Sequence, residues 1–487
     1  MKNFFVFFIF CIVFINVFAD SFTQETQEKK ETKETKPKEI KPSTIALVDE
    51  AITIKQAWER VLQHHDGIKS EEIGIQRAQK LSTATKLSFL PSIDLSAFYV
   101  HLAKPIELDL IQDKSLIPQI PTLPPINSFL QTLASPIPLS KQDIVMGALN
   151  IVYPLYTGGA RIYASKIAAL EIKDANEALR LKKLATFEEL VRIYYGVVLH
   201  QEVLHVLENI QNGHYQHYQN AIKLQKAGQI ARIEVLSAQV AYDRAKNKTA
   251  EAKNSLEIAY LAFQTILSSK DNLFPSSPLN LGDKTLHITD FGADFFVNET
   301  LQTYPALKTL ENKTLSANEV KKLQMSKFLP KVGLFGSYVM KDKDSILNKM
   351  IPDWYVGIGA SLPIITPEGR IQKYQAAKLA QLQLEALKSQ ARKELELLTR
   401  KTYKQVVSAI QEYESLDSSI ELARENLKLQ EEAFKQGVAT SAQVVDARNA
   451  LLAVLIEQKS VTYKAITSLA DLMALSNHLD MFYDYQH

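Results

Sequence analysis

The side chains best placed to do chemistry in this 487-residue chain are ten histidines, its carboxylates and one cysteine. His200-Gln201-Glu202-Val203-Leu204-His205 has the composition of a zinc-binding helix, in which two imidazoles one turn apart hold the metal and a glutamate activates water. Its histidines, however, are five apart and face different sides of a helix. His214 and His217 are three apart and share a face, but no acid or cysteine stands near them in sequence. They read as ordinary surface residues of a helical wall. Cys11 alone can form neither an intrachain disulfide nor a thiolate cage. No GxGxxG, P-loop or GxSxG motif occurs, and glycine is scarce, 16 of 487 residues. The expectation is therefore no metal, no cofactor and no enzyme. With 56 Lys+Arg against 54 Asp+Glu, the chain also lacks the basic excess of a nucleic-acid binder.

The elements that carry these residues begin with an export signature. Residues 1–19 pair Lys2 with an apolar run from Phe4 to Phe18 and read as a cleaved signal peptide, which takes Cys11 with it. Residues 20–43 are charged and polar, a composition that cannot bury enough apolar area to order itself, and read as a flexible leader. No later run is long and apolar enough for a spanning helix. A membrane-crossing form of this protein must then use β-structure.

Internal repetition organises the rest. Phe89-Leu90-Pro91-Ser92-Ile93-Asp94-Leu95 recurs as Phe328-Leu329-Pro330-Lys331-Val332-Gly333-Leu334, and Tyr99-Val100 as Tyr338-Val339. Farther on, Pro154, Thr157, Arg161 and Ile162 match Pro363, Thr366, Arg370 and Ile371, and Tyr194, Gly228 and Val235 match Tyr403, Gly437 and Val444. Each copy reads as helix, strand, loop, strand, long helix, helix. In the strands, Ile93, Leu95, Ala97 and Tyr99 alternate with Ser92, Asp94, Ser96 and Phe98, and Val145 to Tyr153 and Val356 to Leu362 alternate likewise. Loop 101–144 is proline-rich and expected to be irregular. From Arg161 to Lys226 no proline occurs, and Leu184, Phe187, Val191, Tyr194 and Val198 mark a coiled-coil seam. Leu416, Ile420, Ala423, Leu427 and Phe434 do the same in the second copy. About 66 residues at 1.5 Å each make a rod of roughly 100 Å. Closed membrane barrels need at least about eight strands, so four per chain imply an oligomer.

Tandem copies of FLPxhxhxxxY, a strand ending in a PhhTxx(A/G)R pattern and an aliphatic turn after glycine resemble the TolC family of outer membrane efflux proteins. The resemblance covers about 44–475. It divides the chain into a first repeat at 44–269, a linker at 270–293, a second repeat at 294–475 and a tail at 476–487. Within the first repeat, 44–57 matches the family's short entry helix. Linker and tail should form a small mixed belt around the tube.

The resemblance implies a mostly α fold with membrane β: a homotrimeric 12-stranded outer-membrane β-barrel continued by a 12-helix periplasmic α-barrel, with two structural repeats per chain. It implies a passive exit duct set in outer-membrane lipid, served by a periplasmic adaptor (membrane fusion protein) and an inner-membrane pump of RND or ABC type. A coiled-coil or adhesin-like outer-membrane surface protein is the alternative.

The same resemblance implies site residues. A periplasmic gate would involve Asp446 and Gln443, with Glu234 as the first-copy carboxylate. The family's latch tyrosine and arginine fall at Phe434 and Ala439, neither able to make those hydrogen bonds. Asp446 in three copies would ring one axis; its other reading is a solvated polar-face residue. Gly228 and Gly437 mark hairpin turns and adaptor contacts, and Arg161 and Arg370 anchor the strand–helix junctions.

Overall fold

In the computed structural model, residues 50–108, 137–138, 142–268, 273–282, 288–341 and 352–485 are described. The signal, the leader, Cys11 and most of the proline-rich loop lie outside them. The described chain opens with strand β1 (Glu50–Ile52), where the entry helix was expected. Helix α1 (Ile54–His64) begins only after Thr53, which accepts from the Gln56 N–H while Gln56 caps it in return. That reciprocal cap fixes the start and leaves Glu50–Ile52 free to pair.

Helix α2 (Asp66–Leu87) leads into strand β2 (Ser92–His101). The short strands β3 (Glu107–Leu108) and β4 (Ile137–Pro138) pair inside the proline-rich loop, and β5 (Asp143–Tyr156) starts two residues earlier than its alternation suggests. Next come helices α3 (Ala160–Lys226) and α4 (Arg232–Ile266). Strand β6 (Leu273–Pro275) then pairs in parallel with β1. The second copy repeats the order: α5 (Gly292–Thr303), α6 (Pro305–Met325), β7 (Lys331–Lys341), β8 (Trp354–Ser361), α7 (Arg370–Lys435) and α8 (Ser441–Leu475). Helix α9 (Leu479–Tyr485) closes the described chain.

The sheet runs β2–β5–β7–β8, antiparallel throughout. Its register sorts the side chains by chemistry. Leu95, Leu149, Tyr338 and Trp354 lie opposite one another in sequence across the four strands, as do Ile93, Ile151, Gly336 and Val356. The other face carries Ser96, Asn150 and Ser337, linked by hydrogen bonds from Asn150 to Ser96 at 3.4 Å and from Ser337 to Asn150 at 2.9 Å. On the apolar face Trp354, Val356 and Ile358 remain 66%, 70% and 66% exposed. The sheet thus has one apolar face bare to its surroundings and one mixed face, where this polar row runs beside Phe98, Val152 and Phe335, and such a two-faced sheet suits a wall between lipid and water.

Helix lengths explain the layer below. Sixty-seven residues in α3 and 66 in α7 make rods of roughly 100 Å. No neighbour is so long. The 22 residues of α2 and 21 of α6 cover the sheet-proximal third, where the packed order is α2–α3–α6–α7. The 35-residue α4 and α8 cover the distal half, in the order α4–α3–α8–α7. Each long helix thus changes partners halfway. The predicted seam residues Leu184, Phe187, Val191, Tyr194 and Val198 are all buried.

The changeover is held by Tyr194. Its hydroxyl donates to the Ile52 carbonyl at 2.8 Å and accepts the backbone N–H groups of Ser276 and Ser277 at 3.0 and 2.8 Å. One buried phenol therefore ties the β1–β6 ladder to α3. Trp58, Phe187, Phe482 and Tyr483 pack edge to face around the same level, each pair contributing of order 1 kcal/mol beyond its buried area.

Candidate functional site

Two places concentrate the polar contacts that the fold alone does not require: the strand–helix junction and the far ends of the helical hairpins. At the junction, Arg161 is the second residue of α3. Its Nη1 donates to the Ser88 carbonyl at 3.2 Å, its Nη2 to the Pro154 carbonyl, and its guanidinium lies 4.9 Å over the Phe89 ring. Arg370 begins α7 and is held in the same way. Its Nη1 donates to Lys327 at 2.8 Å, its Nη2 to Ile364 at 2.9 Å, and it lies 4.9 Å over Phe328. A planar fork that satisfies two carbonyls and stacks on an aromatic ring is work for arginine, not lysine. Both side chains are consumed by backbone carbonyls.

At the other end each long helix stops on a left-handed glycine. Gly228 and Gly437 both have φ +73°, and a Cβ on either would meet nothing within 4 Å. Conformation, not space, demands glycine there. The flanking bonds repeat as well: Gln229 N–H reaches the Leu224 carbonyl and Val438 N–H the Ala433 carbonyl, both six-to-one closures.

The two turns then diverge. Helix α8 starts on Thr440, whose hydroxyl accepts from the Gln443 N–H, while the Gln443 amide oxygen accepts the Thr440 N–H at 2.7 Å. Gln443 is thus spent on a capping box. Helix α4 starts on Ala231 with no side-chain cap. Its first-turn carboxylate Glu234 reaches instead across to the other hairpin and accepts the Ser441 N–H at 2.6 Å. An acid at the start of both helix dipoles stabilises both.

Phe434, at the latch tyrosine's position, is 2% exposed and packs in a small core with Ala221, Val235, Ala238 and Val444, with Ala439 against its edge. Asp446 is exposed on α8 and shares that exposed face with Gln443 and Ala450, opposite the buried Ser441, Val444 and Arg448.

The histidines correct the sequence reading. His214 and His217 are not surface residues; they are 2% and 6% exposed. The reason is the order of helices: α3 has α4 on one side and α8 on the other, so a residue off its main seam still meets a neighbour. His217 Nε2 lies 2.7 Å from Ser441 Oγ, and its ring centroid is 4.6 Å from that of Phe434. Burial and the nearby Arg448 push both imidazoles down to about 4.

Sequence reading missed Arg448 altogether. It is 8% exposed and pairs with Glu431 of α7. Its guanidinium occupies the space that a Cβ on Gly213 would take. A glycine inside a long helix costs about 1 kcal/mol against alanine, and Gly213 was the available signal that something large lies against it. His200 and His205 are not joined into a site, and among the described residues no group of three or more His, Cys, Asp or Glu could hold a metal ion.

The sequence pattern of the outer membrane efflux protein family matches residues 57–269 and 296–478. The alkaline protease secretion protein AprF of Pseudomonas aeruginosa is 20% identical over 343 residues, which cover 69% of this chain and 70% of AprF. Among solved structures, CusC superposes with a TM-score of 0.72 at 14% identity, covering 92% of this chain and 99% of that one. The Campylobacter jejuni CmeC outer membrane channel superposes with a TM-score of 0.66 at 16% identity, covering 92% and 90%.

Proposed function

This chain belongs to the outer membrane efflux protein family, and from that premise we propose that three copies of it form the exit duct of a tripartite efflux or secretion system. The protein resides in the outer membrane, with its helical part in the periplasm. The observation that carries the proposal is one two-faced sheet joined at Arg161 and Arg370 to two long rods. Among the described residues β2 and β8 are the sheet's edge strands, and α4 and α7 flank the distal helices. Open strand edges in lipid cost several kcal/mol for each unpaired group. Pairing β2 of one copy with β8 of the next closes the sheet and brings the flanks α4 and α7 together beneath it. Three copies supply 12 strands, using the four per chain, and satisfy the barrel minimum.

The duct is passive, with solutes delivered by an inner-membrane pump through a periplasmic adaptor. The turns at Gly228 and Gly437 form the tip that an adaptor would meet, while Arg161 and Arg370 hold barrel to tube. Asp446 lies on an exposed face near that tip. Around a three-fold axis its copies form an acidic ring that favours cations. Gln443 caps its own helix and adds no charge to the ring. Glu234 ties the hairpins together, and Phe434 and Ala439 pack behind it.

Single-channel recordings test the gate. Asp446→Ala is expected to weaken block by divalent cations at the periplasmic side at least several-fold. Unchanged block, with unitary conductance intact, would remove Asp446 from the constriction.

A further inference from the structure

Near the hairpin tip all four distal helices contribute to a polar cluster built around buried His214, His217, Ser441 and Arg448. From α3 come His214 and His217, and from α8 Ser441, Arg448 and Asn449. Helix α7 supplies Glu431 and α4 supplies Glu234, while Arg244 and Lys248 of α4 line a cavity of about 420 Å³ beside His214. Two polar atoms there are buried without a hydrogen-bond partner: His214 Nδ1 and Arg448 Nε. Buried polar groups left this way are costly and call for a reason.

We infer that the His214–His217–Arg448 cluster is an acid-responsive clasp between the two hairpins, and that protonating the imidazoles separates α8 from α3 at the tip. The inference deepens the duct reading above, because it regulates the same mouth. Its physical basis is a charge count. With both imidazoles neutral, Arg448 is matched by Glu431, and the Ser441 N–H by Glu234. Protonation adds two cations to a site that already holds Arg448, with Lys248 and Arg244 at its rim. Glu431 and Glu234 oppose them, and both are already engaged.

Burial first, and Arg448 second, hold both imidazoles near 4, against about 6.5 for an exposed histidine. A depressed histidine favours the packed, neutral state. The packing preference is full above about 6.5 and fades as pH falls towards 4. At pH 5.5 each histidine lowers the packed-to-separated ratio by about 10-fold, and the pair by about 100-fold. Glu188, pushed up to about 7 mainly by burial, titrates in the same range. It lies 29 residues nearer the sheet along α3, roughly 40 Å away, so the histidine variants isolate the tip.

Spin labels at Gln229→Cys and Val438→Cys, on exposed turn positions of the two hairpins, test the clasp. Labelled chain would be diluted into unlabelled full-length protein in lipid nanodiscs, and distances read by pulsed EPR at pH 7.5 and 5.5. The expected result is a longer, broader distribution at pH 5.5, abolished in His214→Gln/His217→Gln. Should that variant fail to assemble, Arg448→Met/Glu431→Gln removes the buried cation with its partner and is expected to shrink the response. Distances unchanged down to pH 4.5, or an undiminished response in either variant, would overturn the clasp. A tip that separates while conductance stays flat would support the clasp and overturn the gate.

Discussion

At the strand–helix junction the two halves of the chain repeat one another contact for contact, within one residue; at the hairpin tip they do not. Arg161 and Arg370 each satisfy two carbonyls and cover one phenylalanine at the same 4.9 Å. The tips share glycines of equal φ but little else. One helix starts on a capping box, and the other starts bare and lends its carboxylate to its neighbour. Where both copies meet the same mechanical task, joining a sheet to a rod, one solution serves twice. Where the task is to hold two different hairpins against each other, the surfaces must be complementary, and complementarity forbids identity. The junction is a repeated part; the tip is a lock with two unlike halves.

That contrast can be broken from either end. The largest effect is expected at the tip from Gly213→Leu. Its side chain must expel the Arg448 guanidinium from the space it occupies against Gly213 and so separates Arg448 from Glu431. Overpacking costs about 1–3 kcal/mol, the lost pair, open to solvent at Glu431, adds roughly 1 kcal/mol, and the loss should appear as protease sensitivity of the distal hairpins while the sheet stays intact. Uniform unfolding instead would mean that the tip is not an independent unit.

A smaller, paired effect is expected at the junction. Arg161→Ala and Arg370→Ala should each destabilise by about 2–3 kcal/mol, from lost charged hydrogen bonds and ring stacking. Thermal unfolding of the assembled protein should give the two the same cost to within about 1 kcal/mol. A large disparity would show that the copies only look alike.

Much of this architecture was legible in the sequence. The constant offsets located both arginines and both glycine turns, because backbone-determined positions tolerate few alternatives. The seam residues stood out because α3 repeats them for dozens of residues without a proline. The strand at Glu50–Ile52 was not legible. Three residues carry no periodicity, and their partner at Leu273–Pro275 lies more than two hundred residues away. Nor was the burial of His214 and His217, since a helix with neighbours on both sides buries residues that a single-seam reading sends to solvent. Arg448 was hidden by the habit that arginines face water; the glycine opposite it was the only trace.

The central claim is that this chain closes its sheet with copies of itself to make one duct. Native mass spectrometry of the full-length protein extracted from outer membranes into lipid nanodiscs tests it most directly. The account predicts a single species with the mass of three chains; a stable, folded monomer in lipid would contradict it.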